Sequence, residues 1–141
     1  MSIEKNKALI QTFTDLINAK QLDTALTLLS PNFVDHTPPA GLPSGISGLR
    51  LFYTMQLTAF PDRYTTSLDM IAEGDKVVHR TSGEGTHQGV FLGISPTGKH
   101  IKWFSIDIWR IADSKLAEHW VEADRLSLMQ QFGLVPPPPS S

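Results

Sequence analysis

The chain has 141 residues, 12 Lys and Arg against 14 Asp and Glu, a formal net charge of −2, 40% hydrophobic residues and no cysteine. That length suits one domain with one core, and the charge balance provides no basic footprint for nucleic acid. No apolar run approaches the ~20 residues of a membrane span, and the lack of cysteine excludes disulfides, thiolate-bound zinc and thiol nucleophiles. The N-terminal MSIEKNKALI carries charge where an export signal needs a long apolar core, so a cytoplasmic protein is expected.

Residues 3–19 read as a helix, with Ile3, Leu9, Ile10, Phe13, Leu16 and Ile17 on one face at the 3.6-residue period and Ser2 as its N-cap. A second, short helix follows, capped by Asp23, with Ala25, Leu26 and Leu29 facing inward and Ser30-Pro31-Asn32 ending it. Phe33 to His36 is extended, and Thr37-Pro38-Pro39 stops it because proline cannot continue a ladder. The Pro-, Gly- and Ser-rich residues 37–47 form a loop that suits the lip of a pocket. Ser47 is placed to cap a third helix from Gly48 to Ala59, which Phe60-Pro61-Asp62 ends.

From Tyr64 the period becomes alternating. Strands are expected over 64–73, 76–87, 99–111 and 115–123, with Glu73-Gly74-Asp75 and Asp113-Ser114 as turns and a glycine-bearing loop over 89–98. After Asp124, the residues Leu126, Leu128, Met129 and Phe132 suggest a short helix stopped by Gly133. The expected organisation is a single domain over residues 1–133 and an exposed Pro-rich tail over 134–141. Helices first and hairpin-linked antiparallel strands afterwards predict an α+β fold, with helices on one face of a curved sheet.

Side chains alternate across a strand with period two. In the last strand Glu118, Trp120, Glu122 and Asp124 share one side, and Ala117, His119, Val121 and Ala123 the other. In the strand before it, Trp103, Ser105, Asp107 and Trp109 share a face. Neither strand divides into an apolar and a polar side, and mixed aromatic and acidic residues suit a cavity lining better than an aliphatic core. A bulge would exchange the faces.

GTHQGVFLGISPTGK at Gly85 to Lys99, DIWR at Asp107 to Arg110, EHW followed by Asp124, and the closing LMQQFG together resemble the SnoaL-like polyketide cyclase family, within the nuclear-transport-factor-2-like superfamily. The resemblance runs from about Ile3 to Gly133 and is densest in the last sixty residues. It implies a cone, a strongly bent antiparallel sheet wrapped around helices with the ligand inside, and an aspartate that closes a ring by aldol chemistry with no metal or cofactor. The position matching that aspartate is Asp124. In such a site Trp120 and Trp103 would form a dry wall, and His36 or His87 would donate a hydrogen bond to the developing enolate oxygen.

Each residue also has a plainer role. Asp124 precedes a helix, where Asp is a preferred N-cap. Asp107 lies mid-strand, facing either solvent or a pocket. His36 and His87 each fit a pocket or an ordinary hydrogen-bonded position. His119, opposite in parity to Trp120, is read as structural or at an interface, and His79 and His100 as surface residues. No HxH or HExxH spacing supports a metal. Three functions remain: a cofactor-independent cyclase or isomerase acting on a small hydrophobic molecule, a non-catalytic binding domain of the same fold, and an epoxide-hydrolase-like enzyme using Asp107 and Asp124 to activate water. A homodimer is expected, because the open outer face of a bent sheet leaves apolar surface uncovered.

Overall fold

A computed structural model of the chain describes residues 2–140. Helix α1, Ile3–Asn18, is capped by Ser2, whose side chain accepts a hydrogen bond from the Lys5 N–H at 3.1 Å. Its stripe of Ile10, Phe13 and Ile17 is buried, while Ile3 stays exposed. Helix α2, Leu22–Leu26, takes Gln21 as its N-cap, and Asp23 pairs with Arg50 instead of capping.

Strand β1, Leu29–Asp35, begins where the sequence suggested a helix stop. Pro31 fits in it because β1 is an edge strand and its register is irregular between Leu29 and Val34. Helix α3, Ile46–Ala59, starts two residues before the expected Gly48, with Gly45 rather than Ser47 at its N-cap. Strands β2 (Tyr64–Glu73), β3 (Lys76–Thr86), β4 (His100–Ala112) and β5 (Lys115–Ala123) follow, and then the short helix α4, Arg125–Gln131. Gly133, at φ +80°, takes the left-handed conformation that stops α4. Residues 136–140 are exposed.

The five strands form one curved, unclosed sheet in the order β1-β5-β4-β3-β2. Three of its strand pairs are antiparallel, and the β1–β5 pair at the edge is parallel. Asp113 and Ser114, both at positive φ, make the two-residue turn between β4 and β5, a geometry matched to the twist of the flanking strands. Next to that turn Arg110 pairs with Glu118 while Ile111 pairs with Leu116, which leaves Ala117 as an extra residue in β5.

Two apolar clusters pack on the concave side. The larger joins Ile10, Phe13 and Ile17 of α1 to Leu26, Phe33, Leu49, Trp109, Ile111 and Leu116. The smaller joins Ala59, Phe60, Phe91, Ile101 and Phe132. Gly83 sits beneath the Trp103 indole, which occupies the space where any Cβ at that position would lie. Among the described residues, no helix is long and apolar enough to cross a membrane.

Candidate functional site

Between the two clusters lies a cavity of about 360 Å³. Helix α3 and residues 37–43 wall one side, and the concave face of β3, β4 and β5 walls the other. Cross-strand register decides which side chains reach it. Trp109 and His119 form one row, with Val77 behind them in the core, His79, Asp107 and Val121 the next, and Thr81, Ser105 and Ala123 the third. Apolar surface comes from Ile17, Leu49, Phe52, Phe60, Phe91, Trp103 and Leu128. The loop after β1 contributes Thr37, Pro39 and Pro43, as expected for a lip.

The polar centre is a trio in which Asp35 and His119 are buried and Asp107 is partly exposed to the cavity. His119 Nε2 lies 2.7 Å from Asp107 Oδ2, and His119 Nδ1 lies 3.3 Å from Asp35 Oδ1. A carboxylate accepts only, so both ring nitrogens must donate, which requires the imidazolium. Burial alone would lower the His119 pKa, but the hydrogen bonds and charges of Asp107 and Asp35 outweigh it and push it up to about 9. Trp109 covers the ring, with centroids 4.1 Å apart. Burial also raises the Asp35 carboxyl, but His119 and the Thr37 N–H, which donates to Asp35 Oδ1 at 3.0 Å, bring it below its ordinary value. The second Asp107 oxygen accepts from Ser105 Oγ at 2.9 Å, and Thr81 Oγ1 lies 3.0 Å from that serine oxygen. Nearby, His79 Nε2 is 2.8 Å from Ser67 Oγ, and burial lowers its pKa against the opposing charge of Asp107.

A second polar group comes from α3 and the residue just before β2. Arg63 is 8% exposed, and its Nε donates to Gln56 Oε1. The guanidinium sits over the Tyr53 ring, 5.4 Å from its centroid. Tyr53 and Gln56 are three residues apart on α3, so they present to the same side. Burial pushes the Tyr53 phenol up to about 12, with Arg63 opposing and Asp107 and Asp35 adding to the rise.

The residues singled out in the sequence divide among several places. Asp107 and Trp103 border the cavity. Asp124 borders it at the rim, is exposed, and caps α4, its side chain accepting from the Ser127 N–H at 3.0 Å. Trp120 lies on the outer face instead, stacked on His36 at 4.6 Å with Lys76 above it. His36 is exposed there and pairs with Glu118 at 2.9 Å. His87 is fully buried among Phe60 and Phe132, away from the cavity, and its Nδ1 accepts from the Thr97 N–H. His119, read as structural or at an interface, and His79, read as a surface residue, are both buried at the cavity, whereas His100 is exposed as expected. Arg63, Tyr53 and Asp35 carried no recognisable motif. Among the described residues, no group of three or more candidate ligands is placed to hold a metal ion.

Residues 7–132 match the profile of the family described as SnoaL-like polyketide cyclase. No curated protein matches the chain. Among solved structures it is similar to AclR, a candidate hydroxylase from Streptomyces galilaeus, with a TM-score of 0.89 and 29% identity over 98% of this chain and 87% of that one. It is also similar to TsrD from Streptomyces laurentii, with a TM-score of 0.86 and 29% identity over 96% and 99% of the two chains. A candidate polyketide cyclase from Bacillus cereus gives a TM-score of 0.80 and 30% identity over 96% and 87%.

Proposed function

Because the chain belongs to the SnoaL-like polyketide cyclase family, we propose that it catalyses cofactor-independent acid/base chemistry, an intramolecular aldol closure or isomerisation, on a small hydrophobic carbonyl compound held in the cavity. The observation that carries this reading is the Asp35–His119–Asp107 trio at the wall of an otherwise largely apolar cavity. An aldol closure needs a base to take a proton from the carbon α to a carbonyl, and an acid to protonate the new alkoxide. Asp107 is the base in this scheme. It borders the cavity and its orientation is held by Ser105 and His119. The imidazolium, held from behind by Asp35, donates to Asp107 and fixes the carboxylate at the cavity wall, and the proton that Asp107 takes from the α-carbon is the one it then gives to the alkoxide.

The family resemblance pointed to Asp124, and paired variants separate the two aspartates. Asp107→Asn is expected to lower turnover by about 10²–10⁴-fold with the fold intact by circular dichroism, and Asp124→Asn by much less. The assay is deuterium exchange at the α-carbon of aryl β-dicarbonyl compounds, followed by NMR, which detects proton removal even where no ring closes. Unchanged exchange in Asp107→Asn sinks the assignment. Ligand binding without exchange in the wild-type protein would leave a binding domain of the same fold.

The likeness to AclR supports a second reading, in which a compound of the same class gains a hydroxyl group from molecular oxygen, the second oxygen atom leaving as water with two electrons from a reducing co-substrate. Product mass separates the two. Cyclisation or isomerisation leaves the mass unchanged or removes one water, whereas hydroxylation adds one oxygen.

The working form in this proposal is a cytoplasmic homodimer. The outer sheet face carries Ile71, Phe104 and Ile106, exposed at 65%, 43% and 47%. Charges of both signs surround them, Arg80 and Lys76 against Asp69 and Glu122. A second copy of the same face would cover the apolar stripe and match those charges about a two-fold axis.

A further inference from the structure

Three buried side-chain polar atoms have no hydrogen-bond partner among the described residues: Asn6 Oδ1, His87 Nε2 and Arg63 Nη1. Only the last belongs to a residue that borders the cavity. A buried guanidinium with an unused donor is costly unless something accepts from it. Arg63 has the Gln56 amide oxygen at its Nε and the Tyr53 ring at its face, but no carboxylate within ion-pair distance among the described residues. Tyr53 also borders the cavity, and no hydrogen bond of its hydroxyl is found among the described residues. The elements that form the cavity therefore bring a guanidinium with an unused donor and a neutral phenol to a wall shared with Asp107.

We infer that Arg63 and Tyr53 form an oxyanion site, which takes the carbonyl oxygen of the substrate and holds it as the enolate while Asp107 removes the α-proton. This rests on the reading of Asp107 as the base. The charges favour an enolate over a substrate that arrives as an anion. Asp35 and Asp107 carry two negative charges, and His119 and Arg63 two positive ones, so the empty site is balanced. When the C–H bond breaks, its proton goes to Asp107 and its electron pair forms the C=C bond, while the carbonyl π pair moves onto oxygen. Asp107 becomes neutral as the oxygen becomes negative, and the balance is kept throughout. A carboxylate ligand would bring an extra charge into the same buried space. The substrate class is thus an uncharged ketone or β-dicarbonyl compound, and Arg63 discriminates in favour of its transition state over its ground state.

The test uses 4-nitrophenol as a stable enolate mimic, whose ionised form is followed by its visible absorbance. In Asp107→Asn, which imitates the protein after proton transfer, the bound probe is expected to ionise at lower pH than the free probe. Phenolate should be preferred over phenol by on the order of 10- to 100-fold, the range for a hydrogen bond to a charged group. Adding Arg63→Gln should abolish that preference, and Tyr53→Phe should reduce it several-fold. Arg63→Lys retains the charge and covers the case in which the Gln variant does not fold. A bound probe that ionises at the free probe's pH or above it, or a preference that survives Arg63→Gln, overturns the proposal, as does an absence of binding. Normal exchange in Asp107→Asn would remove the base assignment but leave a phenolate preference standing, so the two failures are distinguishable.

Discussion

At the scale of single residues, the buried charge on His119 makes stability depend on pH. Its folded pKa of about 9 lies above the ordinary 6.5. A raised pKa means that the folded state binds the proton more tightly, so the stabilisation is complete below about 6.5 and is lost as pH rises through about 9. The loss is on the order of 3 kcal/mol. Melting temperature recorded against pH should fall along that alkaline limb, and His119→Gln should flatten it. Asp35 acts in the other direction: its carboxyl is lowered, so its contribution is present above the ordinary value of 3.8 and is lost as pH falls through its depressed pKa. Asp107 was legible in the sequence because it shares a face with Trp103, Ser105 and Trp109, a mixture an aliphatic core would not contain. Arg63 was not, since a single charged residue before a strand has no pattern and its burial depends on Gln56 and Tyr53 of α3.

At the scale of elements, one extra residue decided that His119 and not Trp120 entered the site. The turn at Asp113-Ser114 sets Ala112 opposite Lys115 and Ile111 opposite Leu116. Continued without interruption, that register would set Asp107 opposite Trp120 and turn Trp120 toward the cavity, as the sequence reading supposed. The bulge at Ala117 shifts the pairing by one, so Asp107 meets Val121 and Trp109 meets His119, and every later side chain of β5 exchanges faces. The strands, turns and helices could be read from periodicity and from glycine and proline, whereas the bulge has no local signature in Leu116-Ala117-Glu118. Beyond β5, Asp124 closes the first turn of α4. Asp124→Ala should cost about 1 kcal/mol in chemical denaturation, and Asp124→Asn, an equally good N-cap, should cost little. Equal losses in the two variants would rule out capping as the residue's contribution to stability.

At the scale of the whole molecule, the uncovered outer face makes association testable. Sedimentation of the wild-type protein is expected to give twice the mass of one 15.6 kDa chain, and Ile106→Asp, at the middle of the apolar stripe, should give a monomer with its fold retained. A wild-type monomer at all concentrations ends that reading. The parallel β1–β5 pair has a consequence for how the molecule comes to exist. Asp35 and His119 are direct partners in that pair yet stand 84 positions apart in the chain. Contacts that close so large a loop form late, after their entropic cost has been met by nearer ones. The charged trio is therefore expected to be completed near the end of folding, when the last strand docks beside the first, so that a chain still emerging from the ribosome has Asp35 and Asp107 without the imidazolium that joins them. Interactions absent from the transition state act on the unfolding rate alone. Asp35→Asn should accordingly speed unfolding in stopped-flow denaturant jumps while leaving refolding unchanged, and a slowed refolding arm would place the pairing of the two ends of the chain at the beginning of folding instead.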